Sequence, residues 1–415
     1  MGGEQEYFDA LETRDPEARR KQQFAALPNQ IAHAQKHSNA FTRILTGVNS
    51  VDIIDASALA QLPVTRKSEL VEMQRQDPPF GGVATAPRGD VARIFASPGP
   101  IYEPEAQRPD YWRLARALFA AGFRKGDLVH NTFAYHFTPG GSMLETAAHA
   151  LGCAVFPAGS GQTELQVQAI ADLRPDGYSG TPSFLKIILD KGEEMGADTS
   201  SLRKAVVSGE ALPPSLRKDI SARGVEVLQC YVTADLGLIA YESPAKKGLI
   251  IDEGVIVEIV RPGTGDPVDE GEIGEVVVTT FNPDYPLIRF ATGDLSAIMP
   301  GMSPCGRTNV RIKGWLGRAD QTTKVRGMFV TPSQVAQVVK RHAEIKKGRL
   351  VVDRDGANDI MILHCEVEDG GNEDLARAVA DTIREVCRLR GEVNFVAPDS
   401  LARDGKVIDD IRKYE

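Results

Sequence analysis

Gly317-Arg318-Ala319-Asp320, read together with Leu401-Ala402-Arg403-Asp404-Gly405-Lys406, decides how this chain is divided. A lysine near a C-terminus is usually a solvated charge. Lys406, however, sits beside a glycine-bearing turn and follows the Gly-Arg-x-Asp boundary by roughly one small domain. The spacing predicts a large domain over residues 1–318 and a small mobile α+β domain over residues 319–415. The small domain would carry a cation into an active site built by the large one. Asp320 is the expected hinge, against the plainer reading of a domain-boundary turn.

Upstream of that boundary, residues 92 to 240 alternate apolar strands with helices. Helices are expected over Asp110–Ala121, Gly141–Leu151, Glu164–Leu173, Ser183–Glu193 and Pro214–Ala222. Strands are expected at Asp127–Phe133, Cys153–Phe156, Ala205–Val207 and Val225–Leu228. This alternation indicates an α/β fold with a mixed, mostly parallel sheet covered by helices. Residues 248 to 300 differ. Ile250–Val260 and Gly274–Thr280 are β-branched and separated by Gly/Pro turns, which predicts an antiparallel sheet or a small β-barrel-like subdomain. Residues 1 to 90 read as helical and irregular, with charged amphipathic stretches at Asp15–Ala26 and Gln30–His37. Pro63-Val64-Thr65-Arg66-Lys67-Ser68 reads as a turn and helix cap.

The 415 residues carry a net charge of −9, which offers no basic face for nucleic acid. No apolar run reaches the length of a membrane span, and the acidic start of the chain does not read as a secretory signal. The five cysteines are scattered and odd in number, as in a reduced, cytoplasmic protein. Their spacing fits no zinc site.

Ligands of doubly wound sheets bind beyond the carboxyl ends of the strands. Three polar, glycine-bearing segments fall at such ends: Ala158–Gln162, Ser208–Ala211 and Tyr231–Gly237. Any one of them could be an ordinary loop, but three at one edge point to a cleft.

In this order, several motifs resemble those of the phenylacetate–CoA ligase branch of the adenylate-forming, acyl-CoA synthetase-like enzymes. They are Phe137-Thr138-Pro139-Gly140-Gly141, Gly180-Thr181-Pro182-Ser183-Phe184, Ser208-Gly209-Glu210-Ala211-Leu212, Ile288–Leu295, Cys305-Gly306-Arg307-Thr308 and the run from Gly317 through Arg326-Gly327 to Gln334. The similarity extends from about Tyr7 to Lys406. It implies ATP-dependent activation of a carboxylic acid to an acyl-adenylate, followed by transfer to coenzyme A. ATP, Mg²⁺ and CoA are the implied cofactors, and an aryl or arylacetic acid is the implied substrate. A homodimer is left open.

By the same resemblance, Asp294 accepts the ribose hydroxyls, a task suited to two acceptor oxygens. Arg318 holds ribose or phosphate with its planar fork. Tyr231 stacks on adenine, or else is a core-edge tyrosine. Glu210 and Ala211 border the base, and Asp235 holds Mg²⁺ where the family has a glutamate. Lys406 offsets charge in adenylation, and Arg326 and Gly327 line the thiol's path. Tyr135, His136, Phe137 and Phe184 are candidates for the acyl pocket, although aromatic residues in such runs are often core. No protein nucleophile is required, in keeping with seven histidines that form no recognisable triad.

The phosphate loop departs from the family pattern. Where the family has a Ser/Thr/Gly-rich loop ending in Gly-Lys-Pro, this chain has Ser97-Pro98-Gly99-Pro100-Ile101-Tyr102-Glu103-Pro104. Ser97 and Gly99 are its remaining phosphate candidates. The prolines remove N–H donors, and Glu103 stands in for the lysine, reversing a charge beside an anion. Ala234 and Ala291 replace a phosphate-contacting hydroxyl and an arginine. Two readings follow: a working acid–CoA ligase with a modified loop, or a non-adenylating relative that binds a nucleotide, CoA ester or acyl ligand.

Overall fold

The computed structural model describes residues 6–97, 100–321, 323–326, 328–355, 358–368, 370–402 and 406–412. Gly99 and Gly327, two of the residues singled out above, lie outside them. The chain divides into two compact units. The first comprises Met1–Thr292 and Ser296–Trp315, and the second Gly293–Leu295 and Leu316–Glu415.

In the first unit a nine-stranded sheet carries the alternating region. Its order is Ile298–Met299, Arg311–Ile312, Leu249–Ile251, Gly237–Glu242, Glu226–Thr233, Lys204–Val207, Gly177–Gly180, Leu128–Asn131 and Ala154–Pro157. The five strands from Glu226–Thr233 to Ala154–Pro157 are mutually parallel. Beyond Glu226–Thr233 the pairing turns antiparallel. The parallel strands are short apolar runs between helices, and Val129, Tyr178, Ala205 and Val227 on them are fully buried.

Helix ends follow local chemistry. The helix Pro182–Met195 starts with Pro182 in its first turn, behind Thr181, whose hydroxyl accepts from Phe184 N–H, and stops at Gly196 with φ +62°. The expected helix from Asp110 is shorter, Ala115–Ala120. Asp110 and Arg113 have φ of +45° and +65°, and the Asp110 carboxylate takes the Ala115 N–H instead. The two amphipathic stretches near the start join into one 22-residue helix, Pro16–His37, running through Pro28. Leu27, Ile31 and Ala34, fully buried, hold that helix to the core despite the proline.

Within residues 248 to 300, Val255–Val260 pairs antiparallel with Gly274–Thr280 as expected, but the run from Ile250 is broken. Leu249–Ile251 joins the nine-stranded sheet, while Val255–Val260 joins a four-stranded sheet of Thr65–Arg66, Phe290–Ser296, Gly274–Thr280 and Val255–Val260. The Asp252–Gly254 bend separates the two. Asp252 accepts there from Gly254 N–H and from Arg113. Arg289, 2 % exposed, pairs with Glu258 at 3.0 Å and donates to the carbonyls of Ala60, Leu62 and Gly265. An antiparallel hairpin, Val91–Ser97 with Ile101–Ala106, frames the departing phosphate loop.

The second unit contains the strands Lys347–Asp355, Asn358–Glu366, Glu392–Val396 and Ile408–Asp410 in one sheet, and the hairpin Thr323–Val325 with Met328–Val330. Helices Pro332–Lys340 and Glu373–Cys387 accompany them, and Val335, Val338, Val379 and Ile383 help form its core. Thr331-Pro332-Ser333-Gln334 is a capping box: Gln334 N–H reaches the Thr331 hydroxyl, and the Gln334 side chain accepts from Thr331 N–H. Among the described residues no helix is long and apolar enough to cross a membrane.

Candidate active site

Because the five strands are parallel, their carboxyl ends share one edge of the first unit. Asn131 organises it. Its amide donates to Tyr135 Oη at 2.7 Å and to the Gly141 carbonyl at 2.9 Å, and its oxygen accepts from Ser179 Oγ at 3.0 Å. Gly180 at the same edge has no space for a side chain, since a Cβ would lie 2.0 Å from Thr132 Oγ1. The loop Ala158–Gln162 is latched by Gln166, which donates to the carbonyls of Gly159 and Gly161 and meets His130 Nε2 at 2.9 Å. Glu210 and Ala211 are exposed in the loop after Lys204–Val207. The third polar segment is different in kind: Tyr231–Thr233 are still strand, and Ala234–Leu236 turn the chain into the antiparallel neighbour. Tyr231 is mostly buried, with its hydroxyl 3.1 Å from Thr292 Oγ1.

Asp235 lies in that turn, and its side chain is fully buried. Its Oδ2 pairs with Lys67 Nζ at 2.6 Å, while Oδ1 has no hydrogen-bond partner among the described residues. Lys67 begins the helix Lys67–Gln76 and directly follows the short strand Thr65–Arg66. The sequence reading passed over it, because nothing in the chain signals a pairing across 168 positions.

Glu103 is fully buried in the hairpin and turns back on Ser97, accepting from both its N–H and its hydroxyl. Burial, and then the nearby negative charge of Asp235, raise its pKa to about 8 against the opposing pull of Ser97 and Lys67. A carboxyl held this way is largely neutral near pH 7. Burial and the Ser97 contacts thus work against the expected charge reversal at Glu103.

Two of the four acyl-pocket candidates share a cavity. His136 and Phe137, both exposed, line a cavity of about 320 Å³ with Ile94, Phe95, Ala96 and Tyr102. Phe137 has φ +62°, and its carbonyl accepts from Ala96 N–H. Tyr135 is instead held through Asn131, and burial followed by Glu145 pushes its phenol up. Phe184 packs on the separate core of Leu185, Ile188 and Val207.

In the second unit Asp294 and Arg318 form a bridge between chain segments and an ion pair, Oδ1 to Nη1, at 3.2 Å. Gly293 lets the guanidinium approach, since a Cβ there would lie 2.8 Å from Arg318 Nη2. Asp320 falls within the short 3₁₀ turn Ala319–Gln321. Lys406 is about half exposed, with Nζ 3.1 Å from Asp409 Oδ1. Its neighbour Val407 donates its N–H to Gln321 Oε1 at 2.7 Å, tying the lysine's segment to that turn. Arg326 is exposed at the tip of the hairpin, with φ +47°.

The AMP-binding enzyme family model matches residues 110–282, and the AMP-binding enzyme C-terminal domain matches residues 327–411. A phenylacetate–coenzyme A ligase from Thermus thermophilus is 32 % identical over 97 % of this chain and 94 % of its own length. One from Aromatoleum evansii is 30 % identical over 95 % and 94 %. An open 2-hydroxyisobutyryl-CoA ligase, solved with 2-HIB-AMP and CoA, superposes with a TM-score of 0.85 over 99 % of this chain and 95 % of its own, at 23 % identity. That last likeness establishes the fold. With near-complete coverage of both curated relatives, the chain belongs to the phenylacetate–coenzyme A ligase family of AMP-binding enzymes.

Proposed function

We propose that the protein is an ATP-dependent acid–coenzyme A ligase that activates an aryl or arylacetic acid. The observation that carries this reading is the Asp294–Arg318 pair, set side by side at 3.2 Å with Gly293 clearing the approach. Asp294 offers two acceptor oxygens to the ribose hydroxyls, and Arg318 offers its fork to ribose or phosphate. Lys406 supplies a cation to the carboxylate and α-phosphate as negative charge moves in the first step. Arg326 serves the second step, in which the thiol displaces AMP. Asp320 is the hinge between the domains 1–318 and 319–415.

Asp235 is the residue that would hold Mg²⁺. Its unpartnered buried oxygen fits a cation bound by one carboxylate and completed by phosphates. The metal would neutralise phosphate charge, while Lys67 keeps the other oxygen in place. Ser97, oriented by Glu103, remains as a hydroxyl for the phosphates. The raised pKa of Glu103, caused first by burial, supports the ligase reading, because a protonated side chain repels an anion less than a carboxylate would. Five free cysteines accord with a cytoplasmic location.

The test is carboxylate-dependent exchange of labelled pyrophosphate into ATP over a panel of aryl and arylacetic acids. Exchange is expected with at least one acid and should vanish in Lys406→Ala. A folded protein showing no exchange, but a calorimetric signal for an adenylate analogue and none for Mg·ATP, would favour the non-adenylating alternative.

A further inference from the structure

Arg326 holds a backbone conformation that an arginine rarely adopts. Two contacts to Asp359 hold it, beside a longer one from Nη1 to the Arg390 carbonyl at 3.4 Å. Arg326 N–H donates to Asp359 Oδ2 at 2.9 Å, and its Nε donates to the Asp359 carbonyl at 2.9 Å. The other carboxylate oxygen of Asp359 pairs with Arg412 Nη1 at 3.0 Å. The Arg412 side chain is only 4 % exposed. Its Nε donates to Asp410 Oδ1 at 2.8 Å and its Nη2 to Thr323 Oγ1 at 2.9 Å. Thr323 is the first residue of the hairpin whose tip is Arg326. A single buried guanidinium thus braces that hairpin at its foot through Thr323 and at its tip through Asp359. A planar fork of donors can serve three acceptors in this way, and an ammonium cannot reproduce it.

We propose that Arg412, acting through Asp359, is a positioning residue for the Arg326 turn and thereby for the thiol-transfer step. The inference rests on the reading above that Arg326 serves that step. There the thiol sulfur bonds to the acyl carbon, the carbon–oxygen bond to AMP breaks, AMP leaves with the electron pair, and the thiol proton passes to water. The strand beside Lys406 also receives Arg412 through Asp410, but it is registered chiefly by main-chain bonds. Val407 N–H holds to Gln321, and Ile408–Asp410 is registered on Leu350–Val352 by main-chain pairing. Removing the Arg412 side chain releases the Arg326 turn while leaving those bonds in place.

The experiment uses the full chain with Arg412→Met, Arg412→Lys and Asp359→Asn. Pyrophosphate exchange is measured beside CoA-dependent thioester formation, and amide hydrogen exchange is followed in the 323–330 peptide. In Arg412→Met, acid-dependent exchange is expected to stay within about twofold, while thioester formation falls at least about tenfold, as misplacement of a contacting group does. The hairpin peptide should lose protection, and Arg412→Lys should not rescue either change. Asp359→Asn should show the same split, which guards against a fold defect peculiar to position 412. Equal losses in both half-reactions, or unchanged hairpin protection, would overturn the proposal. If the unaltered protein shows no pyrophosphate exchange, the ligase reading fails and takes the catalytic role with it. Hydrogen exchange still decides whether Arg412 braces the hairpin.

Discussion

Asp235 with Lys67 and Asp294 with Arg318 are both carboxylate–cation pairs, yet water treats them differently. The first carboxylate is fully buried and its lysine one quarter exposed; the second side chains are 12 % and 40 % exposed. A buried pair stays in place because separating it strands a charge. A pair whose arginine is partly wet costs less to open. The contrast separates a pair built into the core from a pair whose arginine stays partly in water.

Lys67→Met probes the buried pair and should have the largest effect. It leaves Asp235 with neither oxygen paired, and about 3 kcal/mol of stability should be lost in urea unfolding, at the low end for such a break because Lys67 is partly wet. A loss below about 1 kcal/mol would place this pair among ordinary surface ion pairs.

Glu103→Gln comes next, and its sign follows from linkage. The folded-state pKa is raised from 4.5 to about 8, so the folded chain holds the proton more tightly than the unfolded one. The stabilisation is complete below the unfolded value and is lost as pH rises towards the folded one. Unfolding free energy measured across that window should therefore fall with pH, by at most about 1.4 kcal/mol per pH unit from this group. Glu103→Gln should flatten the decline. An unchanged slope would mean that Glu103 is ionised in the folded protein.

Arg318→Met should be the mildest in stability, costing about 1 kcal/mol, because the arginine is 40 % exposed. Its effect should fall on pyrophosphate exchange instead. If Arg318→Met unfolds the protein as readily as Lys67→Met, the distinction between the two pairs collapses.

Much of this was legible in the chain because the signals are local. The parallel strands are apolar runs between helices, and Thr331–Gln334 carries its own cap. Asp294 and Arg318 were legible through their motifs' resemblance to the family, whereas the close approach at Gly293 was not. The buried pair was not legible, since Lys67 and Asp235 are brought together only by tertiary folding. Glu103 was read as a charge because its type is visible and its burial is not. The run Ile250–Val260 looked continuous, and only the bend at Asp252–Gly254 sends its two halves to different sheets.

Arg289 has a consequence for anyone reshaping this protein. Its guanidinium stitches the carbonyls of Ala60 and Leu62 to Glu258 and Gly265. Trimming the helical arm before Val91 would strip away two of those acceptors and leave a sealed-in cation facing vacated space. The arm and the four-stranded sheet should therefore be exchanged between relatives as one cassette, cut outside both partners of that rivet.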